Sequence, residues 1–149
     1  MARATGDTVT SALALACMLI VGDCRGPHVA DVTRAIDGLC AQLHGGLECR
    51  AALVVTVHNE TRWYLSASAM RYSPFGLTSP GMFNPAEHSI YTGAGIAWSV
   101  LRHGRQRCGT WRAAFAWYVR GEQHGRCPRV GPESRQRWRE MRRLMRGRG

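Results

Sequence analysis

Six cysteines, Cys17, Cys24, Cys40, Cys49, Cys108 and Cys127, are the residues of this chain with the most obvious chemistry. No two stand in a C-x-x-C pair, and none of the six histidines lies at ligand spacing from a cysteine, so no metal site and no cofactor is expected. In an oxidising compartment Cys40 with Cys49, and Cys108 with Cys127, are spaced to close two loops, although sequence leaves the connectivity open. Catalytic patterns are missing as well. The chain has no GxSxG, phosphate loop, HExxH or paired carboxylates, and three of its ten acidic residues lie beyond Arg120. The reading is therefore that the protein is not an enzyme. Asn59-Glu60-Thr61 forms a glycosylation sequon, which has meaning only in a secreted chain.

Charge gives the second signal. The 149 residues carry a net charge of +10, with every basic residue an arginine. Ten of the 20 arginines fall between Arg120 and Arg148, against only Glu122, Glu133 and Glu140. Such a segment attracts anionic surfaces, nucleic acid or acidic lipid, without choosing between them; its simpler reading is a solvated tail. Within it "PESRQRWREMRRLMR" has the pattern of a short basic helix with Trp138, Met141 and Met145 on one side.

The elements that must position these residues follow from periodicity. "SALALACMLIVG", Ser11 to Gly22, has the length of a signal-peptide core but is too short to span a bilayer. Arg3 is offset by Asp7, and a cut after Gly22 leaves five cysteines; secretion is preferred, with a buried helix of a cytosolic chain as the alternative. Val29, Val32, Ile36, Leu39, Cys40 and Leu43 recur at helical steps after Pro27 and end at Gly45-Gly46. This stripe reads as a core helix, or more sharply as an amphipathic segment able to enter a membrane interface. From Arg50 the period changes to two. "AALVVTVH", the "NETR" turn and "WYLSASAM" read as an antiparallel hairpin, and "IYTGAGIAWSVL" and "TWRAAFAWYV" as two further strands. "SPFGLTSPGMFNPAEHS" reads as a long loop.

That order resembles the first two-thirds of the actinoporins and actinoporin-like pore-forming cytolysins, over roughly Val29 to Val119. "VADVTRAIDGL" is similar to the family's inserting helix, "CRAALVVTVHNETRW" to its first strand and turn, and "MRYSPFG" to a strand end that carries a headgroup-contacting serine. "TGAGIAWSVL" and "GTWRAAFAWYV" resemble two later strands, the second leading to the phosphocholine site. The resemblance implies a mixed α+β, mainly β fold: an N-terminal amphipathic helix on an incomplete antiparallel β-sandwich, followed by a basic C-terminal tail. It divides the chain into a leader at 1–26, a partial sandwich at 27–119 and an Arg-rich tail at 120–149.

The resemblance also implies a function. The protein is expected to be secreted, to dock on phosphocholine or sphingomyelin membranes through Ser73, Trp117 and Tyr118, and to insert the helix carrying Val29, Val32, Ile36, Leu39 and Leu43 as a homo-oligomer. Three departures reduce what it implies: Ala116 stands where a second serine is usual, Tyr118 falls beside a usual proline, and the aromatic loop after Val119 is replaced by "RGEQHGRCPRVGPESRQ". Lytic activity is therefore open. The alternatives are a basic nucleic-acid-binding protein, on the strength of Trp138 among arginines, and a shortened chain without function.

Overall fold

The structure, a computed structural model, describes residues 9–66, 70, 73–77 and 89–147. Among these the fold is helical: α1 (Ala12–Leu19), α2 (Pro27–Gln42), α3 (Gly46–Thr61), α4 (Ile90–Cys108), α5 (Trp111–Arg120) and α6 (Pro132–Gly147). Apart from an isolated bridge between Gln123 and Arg126, the described residues contain no strand pairing. The expected incomplete antiparallel β-sandwich is therefore corrected to an all-helical fold. "AALVVTVH" lies inside α3, "IYTGAGIAWSVL" opens α4, and "WRAAFAWYV" is nearly all of α5. Of "WYLSASAM", residues 67–69 lie outside the described residues, as do 78–88 of the long loop.

The physical reason for the difference lies in α3. Every residue from Ala51 to Val57 is fully buried, so the helix has no wet face and no 3.6-residue alternation. A continuous apolar run is compatible with a buried strand or a buried helix, and periodicity cannot separate them. The helix keeps its polar side chains inside its own ladder. Thr56 Oγ1 and Thr61 Oγ1 donate to the Ala52 and Val57 carbonyls, and Asn59 Nδ2 donates to the Val55 carbonyl at 2.9 Å. These local bonds satisfy groups that would otherwise cost free energy in the core.

In α4 and α5 the helix signals are present but outweighed by aromatic and β-branched content. Ser89 Oγ accepts from Thr92 N–H, and Thr110 Oγ1 accepts from Ala113 N–H, so each helix has a side-chain N-cap. Gly109, at φ 89°, ends α4 in a conformation that non-glycine residues rarely adopt. The two helices pack closely at Gly104, where an added Cβ would lie 2.8 Å from Trp117 Cβ.

Helix α3 is the hub, touching α1, α2, α4 and α6. Val29, Val32, Ile36 and Leu39 of α2 face this core, while Leu43 stays 46% exposed. Three disulfides staple the assembly: Cys17–Cys24 beside α1, Cys40–Cys49 joining α2 to α3, and Cys108–Cys127 tying the end of α4 to the loop before α6. The arginine-rich segment is ordered as α6, with Met141 and Leu144 fully buried and Trp138 and Met145 packed against the core.

Candidate active site

The C-terminal turn of α3 carries His58, Asn59, Glu60 and Thr61 out of the buried run to the surface. Here the backbone reverses sharply. Arg62 and Trp63 both take positive φ, 53° and 63°, held by Arg62 N–H donating to the His58 carbonyl and Trp63 N–H to Thr61 Oγ1. Consecutive left-handed non-glycine residues are costly and persist only where surrounding structure imposes them, commonly at functional sites.

Glu60 is the group this turn positions. Its Oε2 accepts from Arg137 Nη2 of α6 at 2.8 Å, with the glutamate side chain 25% exposed and the arginine 7%. Its other oxygen lies against Gly76, where the backbone takes a φ of 72° and an added Cβ would collide with Glu60 Oε1. Only glycine fits both that backbone angle and that space. Gly76 belongs to a tight turn in which Ser73 Oγ accepts from Phe75 N–H at 3.1 Å and Gly76 N–H donates to the Ser73 carbonyl. The Tyr118 hydroxyl of α5 donates to the Phe75 carbonyl from the opposite side. Burial, and secondarily the negative charge of Glu60, push ionisation of that phenol far above its ordinary range. Tyr118 is accordingly a neutral donor at physiological pH.

A second layer fixes the helix end. Glu140 of α6 accepts from Asn59 Nδ2 at 2.7 Å and from Gln136 Nε2, and it lies 3.8 Å from His58 Nε2. Desolvation lowers the His58 pKa, Glu140 opposes the shift, and Arg62 reinforces it. Among the described residues Arg137 Nε and Nη1, His58 Nδ1, Trp63 Nε1 and Ser134 Oγ are buried without a hydrogen-bond partner. Buried polar groups without partners are uncommon in native proteins, and two of these five atoms belong to the arginine that pairs with Glu60.

The residues expected to bind a lipid headgroup are distributed as follows. Ser73 and Tyr118 meet at the same turn, both largely enclosed, whereas Trp117 faces the other way, against Gly104 and 5.2 Å from the His103 ring. Four of the five residues expected on an inserting helix are core residues of α2; the fifth, Leu43, lines an apolar groove with Tyr91 and Ile96. No described helix is long and apolar enough to cross a membrane, and among the described residues no group of three His, Cys, Asp or Glu is arranged to hold a metal ion.

Sequence reasoning missed Glu60 by reading it as a turn residue and as the centre of a sequon. Asn59 is instead a helical residue whose amide is committed to Val55 and Glu140. The available signal was a lone carboxylate closing an uncharged run from Ala51 to Asn59. No family model, curated protein or solved structure matches this chain.

Proposed function

We propose that the protein is an enzyme that cleaves glycosidic bonds, with Glu60 as its acid–base residue. The observation that carries this reading is the partly buried Glu60 carboxyl, clamped between Arg137 and the Gly76 turn at the mouth of α3. Positioned carboxyls of this kind exchange protons with reacting groups.

The class of bond is proposed from what surrounds the carboxyl. Glu140, the other acid at this end of α3, is committed to Asn59 and Gln136, and all six cysteines are bridged. Amide and phosphate cleavage require an activated nucleophile or a strong electrophile, whereas an acetal breaks once its leaving oxygen is protonated. Most glycosidases use two carboxylates, and a site with one can act when the substrate supplies its own nucleophile. This favours polymers of N-acetylated amino sugars, whose acetamido oxygen can attack the anomeric carbon.

In that reaction the leaving oxygen of the glycan replaces Arg137 as the partner of a protonated Glu60, which gives up its proton as the glycosidic C–O bond breaks and the acetamido oxygen bonds to carbon. A water or sugar hydroxyl oxygen then bonds to the anomeric carbon as the acetamido C–O bond breaks, and the Glu60 carboxylate takes the proton it releases, which opens the cyclic product and restores the acid. Tyr64, 83% exposed just beyond Glu60, offers a flat face for a sugar ring. Three disulfides and the positive charge suit a role outside the cytoplasm on an anionic glycan-rich surface.

The test is release of reducing ends or soluble fragments from chitin oligosaccharides and bacterial-wall glycan. Wild type is expected to release them, and Glu60→Gln, folded by circular dichroism, to lose the activity by about 100-fold or more. Undiminished release by the variant contradicts the proposal.

A further inference from the structure

We propose that the face formed by α5, α6 and the end of α4 is a binding groove for single-stranded nucleic acid, with Trp138 as its stacking platform. Two hollows of about 210 and 170 Å³ share Arg112 and Trp138 as a common wall. Each is smaller than the usual pocket for a drug-sized ligand and has room for one planar base. Arg105 lines the first hollow, and Arg135, Arg139 and Arg142 line the second; no acidic residue lines either.

The charge here is uncompensated. The five groove arginines form no ion pair among the described residues, as is also true of Arg62, Arg102 and Arg126; what sets the five apart is that they gather around one indole. Unpaired guanidinium groups around an indole match a chain of phosphates carrying π-faced bases. Arg142 lies over the Trp138 ring, its Cζ 5.8 Å from the centroid, so the indole already takes part in a cation–π contact.

Geometry separates this from attachment to a bilayer. Trp138 is recessed and half-buried against the core, so it cannot be pushed between lipids in the manner of an interfacial anchor. A narrow recess accepts an extruded strand instead.

The experiment uses the full chain and a fluorescent dT oligomer of about twelve nucleotides, within the usual site size for such grooves. An abasic phosphodiester of equal length and charge is expected to bind at least about tenfold more weakly, because stacking is lost. Equal affinity overturns the proposal. Arg112→Gln with Arg139→Gln is expected to weaken dT binding about tenfold or more and to reduce the salt slope by about 1.4, at about 0.7 per phosphate contact. The pair Arg34→Gln with Arg102→Gln removes the same charge elsewhere and is expected to cost about twofold at most. Equal losses from the two pairs overturn the groove, as does displacement of dT by a sulfated polysaccharide at lower charge concentration. None of these readouts involves Glu60, so their failure leaves the glycosidase reading standing, and the converse also holds.

Discussion

Arg137 and Glu60, 77 residues apart in sequence, form a 2.8 Å ion pair that fastens α6 to the end of α3. Removing one partner of a buried pair leaves the other charge uncompensated and typically costs about 3–5 kcal/mol. The charge left behind in Arg137→Met is that of Glu60, which reaches solvent, so the expected loss is about 1–3 kcal/mol, below the fully buried range. Urea titration of Arg137→Met, Glu60→Gln and the double variant measures the coupling. Strict additivity of the two losses contradicts a working pair.

Gly76→Ala should harm both fold and site. A left-handed backbone costs a non-glycine residue about 1–2 kcal/mol, and at Gly76 the new methyl also meets the Glu60 carboxyl. Gly109, at φ 89°, has nothing within 4 Å of the same methyl, so Gly109→Ala carries only the backbone cost. Thermal melts are expected to rank Gly76→Ala clearly below Gly109→Ala, with glycan cleavage impaired only in the former. Equal melting points contradict the close fit at Glu60.

Tyr118 links stability to alkaline pH. Its folded-state pKa is raised above the ordinary 10.0, so the folded state favours the protonated phenol. That contribution is complete below pH 10 and is lost as pH rises above it, because only the unfolded phenol ionises readily. Tyr118→Phe leaves the Phe75 carbonyl without its donor and is expected to cost about 1–3 kcal/mol at neutral pH. The alkaline loss should be smaller in the variant than in wild type; an identical alkaline profile contradicts this role.

His58 acts at the other end of the scale. Its folded-state pKa is lowered from 6.5, so below that pH the unfolded chain binds the extra proton first. The stabilising contribution is present above pH 6.5 and declines as pH falls through the folded pKa. Melting temperatures measured from about pH 8 to about pH 5 should fall in wild type and fall less in His58→Gln. Parallel curves contradict a buried neutral imidazole.

Helix α2 was legible in the sequence, because Val29, Val32, Ile36 and Leu39 repeat at helical spacing and meet the core as that spacing requires. So was the apolar side of α6, where Met141 is buried with Trp138 and Met145 beside it. Helix α3 was not, because Ala51 to Val57 is buried all round and leaves no polar face to set the period. In α5, Trp111, Ala113 and Phe115 alternate as in a strand, yet Ala114 and Ala116 between them are buried too. The Glu60 site is built from residues far apart in the chain, and only folding brings Arg137, Tyr118 and Gly76 to one carboxyl.

The most direct test of the central claim is steady-state cleavage of an N-acetylated amino-sugar oligosaccharide by wild type, Glu60→Gln and Glu140→Gln. A general acid–base role is expected to lower kcat in Glu60→Gln by about 100- to 10,000-fold with little change in KM, while Glu140→Gln retains most of its turnover. Cleavage by Glu60→Gln at the wild-type rate, or no cleavage by the wild-type protein itself, would contradict the assignment.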